Sequence, residues 1–145
     1  MKRVQVSSGT KWEPRVGYSR LVCVGAQIFV TGTTATLPGG GHLRGGALMQ
    51  ARQAIANIRR ALRAVGADLA DVVRTRIYVT DIARDWQAVG RAHAEAFADV
   101  RPATTMVEVS RLIEAWMLVE IEADAVAGAR RTERKTLPYR RRKAS

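Results

Sequence analysis

This sequence predicts an α+β layer, a sheet with two helices packed on one of its faces, in the order β-β-β-α-β-α-β-β. Three observations predict it. From Trp116 to Val126 the residue types alternate strictly: Met117, Val119, Ile121, Ala123 and Ala125 oppose Trp116, Leu118, Glu120, Glu122, Asp124 and Val126. From Val72 to Thr80 they alternate again, with Val73, Thr75, Ile77 and Val79 opposed to Arg74, Arg76, Tyr78 and Thr80. A period of two marks a strand whose two faces meet different surroundings. Elsewhere apolar residues recur every three or four positions, the period of a helix with one buried stripe.

In chain order, Arg3 to Ser7 reads as a short strand, and Ser7 to Ser19, rich in turn formers, as a loop. Arg20 to Val24 and Gln27 to Thr33 are β-branched runs around Gly25-Ala26, a hairpin signal. Leu37 to His42, LPGGGH, lacks the strand and GK[ST] context of a phosphate loop and reads as a plain mobile loop. Gly46 to Val65 is a helix with Leu48, Ala51, Ile55, Ile58, Leu62 and Val65 on one stripe, ended by Gly66. Its other face carries Arg52, Arg59, Arg60 and Arg63, a solvated face. Asp85 to Phe97 is a second helix, with Trp86, Val89, His93 and Phe97 aligned, so His93 reads as a packing or hydrogen-bonded residue. Ala103 to Val109 and Trp116 to Val126 close the sheet.

Composition bounds the class. With 145 residues, 47% apolar and 26% charged, the chain is one globular domain with a real core. No apolar run approaches the roughly 18 residues of a membrane span, and MKRVQVSS lacks a secretory h-region, so a cytoplasmic location without membrane partners is expected. The single cysteine, Cys23, excludes an intramolecular disulfide and reads as a small buried hydrophobe. Only His42 and His93 could join it, so no metal site is expected. The net charge is +11, of which Arg130 to Ser145 supplies +7. Residues 1–128 are therefore read as the domain and 129–145 as a basic, disordered tail. That tail can touch nucleic acid non-specifically by charge alone, but the folded part shows no aromatic residues interleaved with basic ones to serve as stacking platforms.

The charged face of the two alternating strands is the functional lead. Glu120, Glu122 and Asp124 repeat at about 7 Å along one strand, and neighbouring acids must be solvated or neutralised. Arg74 and Arg76 are expected on the same face. Such a face is open to solvent, buried against another subunit, or a binding cleft. Three copies packed around an axis would cover it.

The residues then match a family. VGYSR (Val16 to Arg20), IFVTG (Ile28 to Gly32), ALRAVGADLADVVRTRIYVTD (Ala61 to Asp81), RPATTMVEVSRL and LVEIEADAV occur in one order. Together they resemble the Rid/YjgF family of reactive-intermediate (enamine/imine) deaminases over roughly Ser7 to Ala127. The resemblance implies a chorismate-mutase-like fold, a homotrimer, small-molecule sites between subunits, and hydrolysis of an imine to a carbonyl and ammonia without a cofactor. It also implies that Glu120 positions or activates water, and that Tyr18, Thr31 and Gly32 line the substrate site.

One departure matters. Family deaminases carry an arginine two residues after the proline of this motif, which forks onto the substrate carboxylate. Here that position is Thr104, followed by Thr105 and Met106, and one extra residue lies between Leu112 and Glu120. Thr104 and Met106 are thus candidate substrate contacts of altered chemistry. Arg74 and Arg76 are expected on the sheet face of Thr104 and Glu120, either replacing the missing cation or neutralising the acids. Three functions follow: a Rid-like hydrolase of non-standard specificity, a non-catalytic metabolite-binding trimer, or an RNA-binding or RNA-cleaving protein.

Overall fold

Residues 119–126 form a central strand, paired on both edges, with one face toward the helices. In the computed structural model, which describes residues 1–137, a six-stranded mixed sheet runs in the order β1-β2-β3-β6-β4-β5. The strands are β1 (Arg3–Val6), β2 (Leu21–Val24), β3 (Gln27–Thr33), β4 (Val72–Val79), β5 (Ala103–Glu108) and β6 (Val119–Val126). All neighbours are antiparallel except β4 and β5, which α3 (Ile82–Phe97) connects in parallel. α2 (Ala47–Arg63) and α3 pack together on one face. Ile28, Val30, Ile77, Val79, Val119, Ile121, Ala123 and Ala125 meet Ala51, Ile55, Ile58, Leu62 and Val89 in one continuous core.

Both helix ends follow local chemistry. Asp81 caps α3 by accepting from the Arg84 backbone N–H at 3.0 Å. Gly66, at φ 79°, turns the chain after α2 so that the Ala67 N–H reaches the Leu62 carbonyl at 3.1 Å.

The structure departs from expectation at four places in the fold. First, a short helix, α1 (Trp12–Val16), lies in the stretch expected to be loop. It is a single turn, too short to show a period, and Glu13 holds the loop before it. The buried Glu13 carboxylate accepts from Ser8 N–H, Ser8 Oγ, Thr10 N–H and Thr10 Oγ1. Second, β6 begins at Val119, not Trp116, because Gln50 of α2 pins the preceding segment. Its Nε2 donates to the Trp116 carbonyl at 2.9 Å and its Oε1 accepts from Leu118 N–H at 2.9 Å. Third, a β-bulge between Val72 and Arg74 turns Val73 out, 41% exposed, and puts Val72 in the core instead.

Fourth, the chain after β6 is attached to the domain. Arg130 forks onto the fully buried Asp71 through Nε and Nη2, both at 3.0 Å, and the Gly128 N–H adds a third bond. Arg134 Nη2 donates to the Asp99 carbonyl at 2.9 Å. Residues 131–137 form no helix or strand, and the remainder of the expected tail lies outside the described residues.

Candidate active site

The site grows from a second bulge. Along β3, Val30 pairs with Ala123 but Thr33 pairs with Ile121, so Thr31-Gly32 bulges out opposite β6. A bulge frees backbone groups from the ladder. Arg20, just before β2, satisfies one of them: its Nη1 donates to the Gly32 carbonyl at 2.9 Å and to Thr33 Oγ1 at 3.1 Å. The Thr31 N–H in turn donates to the Arg20 carbonyl at 3.1 Å.

Glu120 lies across the bulge. A Cβ added to Gly32 would overlap Glu120 Oε1 and stand 2.9 Å from its Cδ. Glycine is required here for close approach, not for backbone conformation. Burial of Glu120 in this position raises its pKa, the negative charge of Glu122 raises it further, and the Arg20 charge opposes both. Arg20 and Glu120 form no ion pair among the described residues, although both line the same cleft.

That cleft has a volume of about 940 Å³. Its floor is Tyr18, Arg20, Thr31, Gly32 and Glu120. One wall is the loop Thr34–Thr36, held by Asn57 of α2, whose Nδ2 donates to the carbonyls of Thr34 at 3.0 Å and Thr36 at 2.7 Å. Part of the lining is aromatic: the His42 and Trp116 rings stack at 4.1 Å and 10°. The glycine-rich segment around His42 is closed by the Leu37 N–H to Gly41 carbonyl bond at 3.0 Å and by pairing of Thr36 with His42. Trp12 and Lys11 form part of the rim, with the Lys11 ammonium 4.8 Å above the Trp12 ring and the Arg15 guanidinium 5.5 Å from it. Aromatic and basic residues therefore do meet in the folded part, contrary to expectation, because the α1 turn brings neighbours in sequence onto one ring.

The site residues expected from sequence divide into two groups. Tyr18, Thr31, Gly32 and Glu120 share the cleft. Thr104 and Met106 do not line it, and Thr104 is not on the sheet face of Glu120. In the parallel β4–β5 pairing Thr104 faces Thr75 and Met106 faces Ile77, and both turn toward the helices. Thr104 Oγ1 is 2.8 Å from the buried Thr75 Oγ1, which is 2.9 Å from His93 Nε2. Burial lowers the pKa of that histidine, and its ring packs on Phe97 at 4.6 Å, a structural role as expected.

Arg76 is the neutralising residue of the charged strand face: it pairs with Asp124 at 3.1 Å and Glu122 at 3.5 Å, but not with Glu120. Tyr78 donates to Glu122 at 3.2 Å. Arg74 is exposed and forms no ion pair among the described residues. The cation that reaches the cleft floor is Arg20, which pattern reading passed over. Its signal was present, a charged residue at the mouth of a buried hairpin, but only the bulge three-dimensionally opposite it gives it meaning. Among the described residues no group of three or more His, Cys, Asp and Glu side chains is placed to hold a metal ion, and no helix is long and apolar enough to cross a membrane.

With this geometry in view, comparison with known proteins is specific. Residues 9–127 match the family model described as Endoribonuclease L-PSP. The 2-iminobutanoate/2-iminopropanoate deaminase of Capra hircus is 36% identical over 112 residues, covering 77% of this chain and 80% of that protein. An uncharacterized protein of Streptomyces coelicolor is 37% identical over 125 residues, 86% of this chain and 92% of that one. The crystal structure of a YjgF/YER057c/UK114 family member from Mycobacterium tuberculosis aligns with a TM-score of 0.80 at 51% identity, covering 87% of this chain and 100% of that chain.

Proposed function

The chain belongs to the Endoribonuclease L-PSP (Rid/YjgF) family, and we propose that it is a hydrolase of small imines or enamines acting in the cleft above Gly32. Relatives named as imine deaminases at 33–36% identity support the reaction type. The observation that carries the reading is Glu120: a half-buried carboxyl of raised pKa, held over a glycine bulge at the floor of a cleft.

The chemistry asks little more of the protein. Water adds to the C=N carbon while the ionised Glu120 accepts one of its protons. Passing that proton to the nitrogen gives a carbinolamine, and its hydroxyl proton then moves through Glu120 to the amine as the C–N bond breaks, leaving a carbonyl and ammonia. A carboxyl of raised pKa suits both halves, since it is a better base than an ordinary carboxylate and regains its proton more readily. The hydroxyls of Tyr18 and Thr31 line the same space and can orient water or substrate. The assembly we propose is a homotrimer in which the open sheet face, with Phe29 45% exposed beside the charged strand residues, packs against a neighbour.

A second reading, binding without catalysis, is favoured by one observation: Thr104 supplies no charge, and its hydroxyl is engaged by Thr75 and the Pro102 carbonyl. A coupled assay separates the two. A dehydratase generates 2-aminoacrylate, and keto-acid release is followed for wild type and Glu120→Gln. The hydrolase reading expects activity that falls by about 10²-fold or more on Glu120→Gln. Wild-type turnover no faster than buffer supports the binding reading.

A further inference from the structure

A 2-imino acid bonds its carboxylate directly to the imine carbon. Any cation that anchors it must therefore lie within one small molecule's length of the group that directs water. Thr104 carries no charge and faces the helix side of the sheet. Arg76 is spent on Glu122 and Asp124. Arg74 does not line the cleft. Lys11 and Arg60 also line the cleft, but Lys11 is directed to Glu114 at 4.0 Å and Arg60 is an exposed residue of α2 with no ion pair among the described residues to fix it.

Arg20 is held differently. It lines the cleft together with Tyr18, Thr31 and Glu120. Its guanidinium is fixed: Nη1 is held by the Gly32 carbonyl and Thr33 Oγ1, and the guanidinium carbon sits 5.9 Å from the Tyr18 ring centroid. Among the described residues Nε and Nη2 have no acceptor, so two donors of a planar fork remain. A guanidinium held at one nitrogen loses little further freedom when it binds a carboxylate, and the planar fork matches carboxylate geometry. Its charge is also felt at the Glu120 carboxyl without an ion pair closing the gap between them.

We propose that Arg20 is the carboxylate anchor of this cleft, supplying from the start of β2 the cation that Thr104 lacks on β5. This assignment rests on the hydrolase reading for the imine but not for the keto acid, which a non-catalytic cleft would also bind.

The bulge contact gives Arg20 a structural role as well, and the test separates the two. Calorimetric binding of 2-oxobutanoate and of its uncharged amide is measured for wild type, Arg20→Gln and Arg20→Lys, with thermal melts of each. Arg20→Gln keeps an amide donor for the Gly32 carbonyl, and Arg20→Lys keeps the charge without the fork. The expected result is a loss of about tenfold or more in affinity for the acid on Arg20→Gln, a smaller loss on Arg20→Lys, and little change for the amide. In turnover the same variants raise KM more than they lower kcat. Equal loss of acid and amide binding would make Arg20 only a support of the bulge and overturn the proposal, as would wild type failing to bind 2-oxobutanoate. Acid binding that depends on Arg20 in a protein without hydrolase activity would leave the anchor standing and remove the hydrolase reading instead.

Discussion

Gly32→Ala tests the site without dismantling the fold. The added Cβ would stand 2.9 Å from Glu120 Cδ and 3.3 Å from Cγ, and would overlap Oε1. Restoring ordinary carbon–carbon contact of about 3.5–4.0 Å moves the carboxyl by about 1 Å. Backbone strain is not involved, since Gly32 is not among the positive-φ residues. The obstructing atoms belong to the end of a flexible side chain, so the steric cost is at the low end, about 1 kcal/mol. The alanine returns about 0.4–1 kcal/mol by restricting the unfolded chain. The melting temperature should thus barely move, while a 1 Å displacement of the water-directing group costs about 10²-fold in kcat/KM. A double-mutant cycle isolates the contact: in a Glu120→Ala background the clash is gone, and Gly32→Ala should stabilise by about 0.4–1 kcal/mol. Full imine-hydrolase activity in Gly32→Ala would refute the placement of Glu120 over the bulge as the source of catalysis.

Other consequences can be measured independently. Deleting residues 131–145 should leave stability nearly unchanged, whereas deleting from Arg130 should cost about 1–3 kcal/mol in urea denaturation, because the buried Asp71 carboxylate loses its charged fork. Glu13 is the acid-stability sensor: burial alone would raise its pKa, but the bonds from Ser8 and Thr10 override this and lower it from 4.5 to about 2. A depressed carboxylate stabilises above its unfolded value, so about 3 kcal/mol should be present above pH 4.5 and fade as pH falls toward 2. Glu13→Gln should flatten that acid limb in pH-dependent melts. Light scattering should give about 48 kDa, three copies of the 15.9 kDa chain; a monomer would remove the proposed packing of the open sheet face.

What sequence could show was set by how local each cause is. The alternation of β4 and β6 and the stripes of α2 and α3 are properties of single elements, and all four elements form, although β6 starts at Val119 and not Trp116 and α3 at Ile82 and not Asp85. The Val73 reversal was invisible because a bulge is a relation between two strands: Val72, Val73 and Thr75 all suit either face until Asp124 is set against Arg74. Trp116 to Leu118 continues a strand pattern, yet a buried amide 66 residues earlier, Gln50, holds it as loop. Gln50 and Asn57 carry no apolar signal and look like solvated helix positions, while in the fold they clamp two walls of the cleft. Tyr18, Thr31, Gly32 and Glu120, which the family motifs single out, line one cleft of the protomer. The motifs do not say which face Thr104 takes, since parallel pairing with β4 decides it, and they give no weight to Arg20, whose place depends on the bulge across the hairpin.

The pH dependence of kcat/KM for imine hydrolysis, corrected for the uncatalysed rate and measured beside Glu120→Gln, reports on the central claim. Glu120 must be ionised to accept a proton from water, so activity should fall as pH drops through an apparent pKa above the ordinary glutamate value of 4.5. The Gln variant should lose both the rate and that limb. A limb that persists unchanged in Glu120→Gln would contradict the assignment of this carboxyl as the group that directs water.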